Sequence, residues 1–256
     1  NSEIREQLTR FVRPGDGLIL NPSELLERLG QPQIEGLAVH TVPDRSPLNE
    51  TSAGSRLARL GQDHRRLYLL LGDTSASDPE GYVQGWLNQN AYRAGEQWMD
   101  DLLLVLYGTT AAPPAEGPGD GHRVLLGDEI VLTGAHLAGE GYEPEEIVPV
   151  TLFWQARKPI PGNLKVFVHM LNANGDLVAQ RDSEPVGGLR PTSTWEVGEA
   201  VVDRHGVLLP DNLPPGEYRI VVGLYNPATG DRLPVTIDAV VSPGSSYEIG
   251  SISVTQ

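Results

Sequence analysis

From Val124 to Gln256 the apolar residues recur with a period of two, and no long helical pattern competes. Successive side chains of an extended strand point to opposite faces, so this alternation describes strands with one buried and one wetted face. The candidate strands are Glu129 to Leu137, Val148 to Ala156, Leu164 to Leu171, Leu177 to Asp182, Glu199 to Leu208, Gly216 to Tyr225, Leu233 to Val241 and Tyr247 to Val254. Between them, Asn172-Ala173-Asn174-Gly175-Asp176 and Asn226-Pro227-Ala228-Thr229-Gly230-Asp231 supply residues that tolerate the positive φ of tight hairpins. About eight strands in roughly 130 residues suits a two-sheet sandwich of immunoglobulin or fibronectin style better than a closed barrel or a repeat array. The expectation for residues 123–256 is therefore an all-β sandwich that binds or supports and does not catalyse.

The first half reads differently. Ser2 can cap a helix carrying Ile4, Leu8, Phe11 and Val12, and Arg13-Pro14-Gly15-Asp16 ends it before the apolar run Gly17-Leu18-Ile19-Leu20. Further strands are expected at Leu37 to Val42 and Arg66 to Leu71, and further helices at Glu24 to Leu29, at Ser52 to Asp63 and from Ser77 to Asn88. Tyr92 to Trp98 and Leu102 to Tyr107 look extended. Strands spaced by helices predict a small α/β domain over residues 1–108, Rossmann-like, with a mostly parallel sheet that can end in an antiparallel edge. Residues 109–122, around Thr109-Thr110-Ala111-Ala112-Pro113-Pro114, lose every large apolar side chain and read as a Pro/Gly-rich linker.

Composition narrows the functions. The net charge is -15 and the 19 basic residues form no runs, so nucleic acid is not an expected partner. With no Cys there are no disulfides, thiolate metal sites or Cys nucleophiles. No stretch approaches the roughly 18 apolar residues of a membrane helix. The turn after Leu20, Asn21-Pro22-Ser23-Glu24, lacks the glycines of a phosphate cradle, and Gly72-Asp73-Thr74 offers one glycine beside an acid. Ser52-Ala53-Gly54-Ser55 lacks the spacing of a nucleophile turn and reads as a helix cap. No two of the six histidines share a metal-binding spacing, so neither a metal nor a cofactor is expected.

Two constellations hold chemistry of a weaker kind. Asp176, Asp182, Glu184 and Asp203 could converge on a hard cation, although turn formation and pairing with Arg181, Arg190 or Arg204 explain them equally. Among the aromatics, Trp154 and Tyr218 alternate with polar neighbours and are assigned to the core, as His169 is to a sheet face with a satisfied hydrogen bond. Trp195, in the turn-rich Arg190-Pro191-Thr192-Ser193-Thr194-Trp195, would serve either as a lid over the core or as an exposed platform for a sugar ring. Trp195, Asp203, Asp182 and Glu184 are therefore the candidate glycan-binding residues.

Gly15-Asp16, Arg66-Leu67-Tyr68-Leu69-Leu70-Leu71, Ser77-Asp78-Pro79-Glu80-Gly81, Trp86-Leu87, Trp98 and Leu104-Val105-Leu106-Tyr107 together resemble the soluble segment after the last membrane helix of bacterial glycosyltransferase family 39 proteins, relatives of the protein mannosyltransferases. Val166-Phe167-Val168-His169, Arg181-Asp182-Ser183-Glu184-Pro185, Pro191-Thr192-Ser193-Thr194-Trp195, Pro215-Gly216-Glu217-Tyr218 and Val222-Gly223-Leu224-Tyr225 look like the β-sandwich appended to such proteins in filamentous green bacteria. The resemblance implies a polytopic parent enzyme that moves a sugar from a polyprenyl-phosphate donor to an acceptor on the outer face of the membrane. This sequence lacks the family's membrane helices and the acidic residue of its first extracytoplasmic loop, so no catalytic residue is carried over. The expected role is a non-catalytic extracytoplasmic portion, partnered by the membrane-embedded part of the same protein and by a glycan or lipid-linked sugar. The alternative is a free-standing cell-surface module that binds carbohydrate or protein.

Overall fold

The computed structural model describes residues 2–30, 34–44, 47–109 and 124–255. The chain divides into two compact units, Asn1–Ala111 and Ala112–Gln256. Apart from Thr109, the expected linker lies outside the described residues.

Unit 1 runs α1 (Ser2–Phe11), β1 (Gly17–Asn21), α2 (Leu25–Leu29), β2 (Ala38–Thr41), α3 (Glu50–Asp63), β3 (Arg66–Leu71), α4 (Tyr82–Asn90), β4 (Tyr92–Met99) and β5 (Leu102–Gly108). Its strands pair in the order β4-β5-β3-β1-β2. β1 pairs in parallel with both β2 and β3, and its five residues are all buried, as an unbroken apolar run in a covered parallel strand should be. α3 starts where the Asn49 side chain accepts from Ser52 N, and it buries Ala53, Leu57 and Leu60, one helical stripe, against Ile19, Leu67 and Leu69. α4 has a different start. The Asp78 carboxyl accepts from Tyr82 N at 2.7 Å and from Val83 N and the Asn21 amide, both at 3.0 Å, tying the helix to the end of β1. Asp78→Ala leaves these buried donors unpaired and should destabilise unit 1 by about 2 kcal/mol. Urea unfolding followed at Trp86, on α4, checks this, and a loss well under 1 kcal/mol would contradict it.

Unit 2 contains β6 (Val124–Leu126), β7 (Ile130–Leu137), β8 (Gly141–Tyr142), β9 (Ile147–Ala156), β10 (Lys165–Leu171), β11 (Leu177–Ser183), β12 (Ala200–Leu208), β13 (Gly216–Tyr225), β14 (Val235–Ile237), β15 (Val240–Val241) and β16 (Tyr247–Val254). Six of them pair in the order β15-β14-β6-β7-β9-β12, and the other five form a sheet ordered β11-β10-β13-β16-β8. The core interleaves Val150, Leu152 and Trp154 of β9 with Val166, Val168 and Met170 of β10 and Tyr218, Ile220, Val222 and Leu224 of β13. Tyr218 also donates its hydroxyl to Pro214 O at 2.6 Å, which satisfies its one polar atom.

These facts correct the expected fold class. The chain is mostly β, 44 % strand against 18 % helix, with mixed strand pairing in unit 1 and a curled five-stranded sheet in unit 2. It is not a Rossmann-like, mostly parallel layer followed by an immunoglobulin/fibronectin-like sandwich. In unit 1, β5 pairs antiparallel with both β3 and β4. The two-residue link from Met99 to Leu102 forces β4 and β5 to pair antiparallel, because a parallel return needs a crossover of a dozen or more residues. In unit 2 the expected strand Leu233 to Val241 is broken at Asp238 and Ala239, whose φ values of 48° and 69° turn it into the β14–β15 hairpin. The short β8 pairs in parallel with β16 at the far edge of its sheet, a pairing that alternation could not disclose.

Candidate functional site

In an α/β layer, ligands gather outside the carboxyl ends of parallel strands, where strand-to-helix loops diverge. Unit 1 has a cleft of about 270 Å³ at such a place. Val42, Pro43 and Asp44, which follow β2, line one side, and Asn49, Ser52 and Arg56 of the α3 start line the other. Val42 N donates to Leu20 O, so the loop after β2 stays beside the end of β1. Leu48 N donates to Ser77 O, which brings the segment before α4 alongside. Arg56 lies 3.7 Å from Asp44, whose side chain is largely solvated while that of Arg56 is partly so, an ion pair worth under about 1 kcal/mol. Both groups are therefore cheaply diverted to a ligand. The cleft thus combines amide, hydroxyl, carboxylate and guanidinium groups with the apolar edges of Val42, Pro43, Pro47 and Ala53. That mixture suits a polar ligand with several hydroxyls.

The four residues expected to bind a glycan do not converge. Trp195 is 4 % exposed, and its indole donates to Arg190 O at 2.9 Å, so it closes the core and presents no stacking face. Asp203 is 0 % exposed. Asp182 pairs across the ladder with Phe167 and meets His169 Nε2 at 3.2 Å, on the face of the five-stranded sheet opposite Val166 and Val168. Burial first, then the Asp182 carboxylate, pushes the Tyr225 phenol above its usual range on that same face. Glu184 is half-buried at the entrance to the turn 185–188. Asp176 accepts from Asn172 within its own turn. The expected cation cluster is thus dispersed, and no group of three or more His, Asp or Glu that could hold a metal occurs among the described residues.

Asp203 instead anchors a core network. It accepts from Trp154 Nε1 at 3.2 Å and Val186 N at 2.7 Å, and it lies 2.6 Å from His205 Nε2. His205 Nδ1 meets Ser183 Oγ at 3.3 Å. The order Ser, His, Asp is that of a nucleophilic triad, but His205 and Asp203 are 1 % and 0 % exposed. Its evident effect is to join β9 and β12 to the end of β11 and the turn that follows.

Sequence reasoning missed Arg56 and Asp44. The available signal was their place, since Asp44 closely follows a strand and Arg56 lies one turn beyond a capped helix start.

No family model and no curated protein matches the chain. Among solved structures, the C-terminal domain of Wzt is similar at 14% identity and a TM-score of 0.37, covering 54% of this chain and 82% of that one. A Niemann-Pick type C2 protein from the Japanese carpenter ant is similar at 6% identity and a TM-score of 0.31, over 48% of this chain and 91% of that one. A Bacteroides uniformis β-glucuronidase gives 13% and 0.28, over 53% and 18%. At such low identities and TM-scores these likenesses carry no information on activity or ligand. Among the described residues, no helix is long and apolar enough to cross a membrane.

Proposed function

We propose that this chain is the non-catalytic extracytoplasmic portion of a membrane glycosyltransferase that uses a polyprenyl-phosphate-linked sugar, and that the unit 1 cleft helps to position the acceptor or glycan. The motif set of both halves supports the parentage. The observation that carries the positioning role is the cleft's lining, in which Asn49, Ser52, Asp44 and Arg56 alternate with apolar surface at the carboxyl end of β2. Hydroxyl-rich ligands are held by such alternation, each polar group fixing one hydroxyl while the flat apolar edges take the ring.

Amide NMR of the chain titrated with a panel of soluble mono- and oligosaccharides should move resonances of Val42, Asp44 and residues 49–56, with a Kd on the order of 1 mM. Arg56→Ala should weaken that binding about tenfold, the loss of one charge-assisted hydrogen bond. If no sugar in the panel shifts these resonances at tens of millimolar, or if Arg56→Ala leaves the affinity unchanged, the positioning role is wrong.

A further inference from the structure

We propose that His40 and His64 form a two-histidine site for a divalent transition metal on unit 1, a role separate from glycan positioning. His40 belongs to β2, and His64 follows the last turn of α3. Their Nε2 atoms face each other at 3.3 Å, with the ring centroids 5.4 Å apart. Two imidazole nitrogens that share one tetrahedral zinc at about 2.0–2.1 Å are separated by about 3.3–3.4 Å. The pair therefore already stands at the spacing of two ligands on one ion.

The second observation fixes the chemistry of one donor. His64 Nδ1 lies 2.9 Å from Gly15 O. A carbonyl only accepts, so Nδ1 carries the hydrogen and the Nε2 lone pair faces His40, where it accepts a hydrogen bond from His40 Nε2 that a bound metal would replace. A ring nitrogen bound to a backbone carbonyl behind a bare nitrogen in front is how proteins orient metal-binding imidazoles. The ring's seat is also restricted. A Cβ on Gly17 would lie 2.8 Å from His64 Cδ2 and 2.6 Å from Leu67 Cδ2, so the imidazole occupies space that only glycine in β1 leaves open.

The site would be open and of modest affinity. The remaining coordination positions fall to water, since no third His, Cys, Asp or Glu completes a cluster among the described residues. The neighbouring charges oppose each other, Arg56 repelling a cation and Asp63 attracting one. Imidazole donors suit zinc, nickel and copper, and the ordinary stability order places Cu²⁺ above both Ni²⁺ and Zn²⁺.

The test uses the untagged full chain. Cu²⁺ should bind with one equivalent, and its electron paramagnetic resonance spectrum should carry superhyperfine splitting from two nitrogens. Ni²⁺ and Zn²⁺ should bind more weakly by calorimetry. His40→Ala and His64→Ala should each lower Cu²⁺ affinity at least tenfold and leave a one-nitrogen pattern, while His136→Ala in unit 2 changes nothing. Circular dichroism of the metal-free variants verifies that they are folded, and His64→Gln serves if His64→Ala is not. Saturation that is unchanged in the folded variants, or no binding up to about 1 mM metal, overturns the proposal.

Discussion

Replacing Asp203 by alanine should destabilise unit 2 by about 3–5 kcal/mol, the cost of removing one partner from a buried polar network. Trp154 Nε1–H and Val186 N–H would both lose their acceptor, and neither is replaced by water in a position with no exposed surface. His205, 1 % exposed, would lose its 2.6 Å contact in the same step. A further cost lies in the backbone. Val186 sits at φ 54°, a left-handed conformation that a β-branched residue rarely adopts, and its N–H bond to Asp203 helps to hold it there. Asp203→Asn should recover only part of the loss, because one amide oxygen replaces two carboxyl oxygens. Urea unfolding followed by methyl NMR of Val150, Leu152 and Val201 isolates unit 2 from unit 1. A loss under 1 kcal/mol for Asp203→Ala would show that the network is incidental to stability.

That network also marks the boundary of what the sequence discloses. Asp203 and His205 stand two apart in a candidate strand, so their shared face is legible, but which face is buried is not. Two polar residues on an alternating strand read as the wet side. Here they point inward because Trp154, Val186 and Ser183, from three other segments, supply their partners. Trp195 was ambiguous for the same reason. A turn-rich segment permits either orientation, and the Arg190 carbonyl that accepts its indole hydrogen decides it. By contrast β1 and the body of α3 are readable from local pattern, an apolar run and a helical stripe fixing their own burial, whereas α3 starts earlier than Ser52, at the Asn49 cap, and β10 and β13 each bury five consecutive residues that alternation does not announce. The pairing of strands was not readable. Parallel β8–β16 and the mixed layer of unit 1 depend on contacts far apart in sequence. The cleft follows suit, with Ser52 recognisable as part of a helix start but Asp44 and Arg56 brought together only by the fold. His40 and His64 are 24 positions apart, so no ligand spacing announces them.

Gly223→Ala should cost about 3–4 kcal/mol, a large effect for one methyl group. Gly223 stands opposite Phe167 in the β10–β13 ladder. A Cβ there would lie 2.2 Å from Phe167 Cζ and 2.5 Å from Cε1, far inside van der Waals contact, and 2.8 Å from the backbone oxygen of Ser245. The ring has little room to retreat. Phe167 is 0 % exposed, the Arg232 guanidinium stands 4.2 Å over its centroid, and the His169 ring is 4.6 Å away. Relief therefore requires the ring to leave its site, losing roughly 2 kcal/mol of apolar burial together with the cation–π contact, or requires backbone movement at a comparable overpacking cost. A double-mutant cycle separates the clash from any other effect of the methyl group. In a Phe167→Ala background the added Cβ meets space in place of a ring, so Gly223→Ala should then cost at most about 1 kcal/mol, the residue of its approach to Ser245. Equal costs in the two backgrounds would mean that the ring is not what Gly223 accommodates, and that the glycine is required by the Ser245 segment instead.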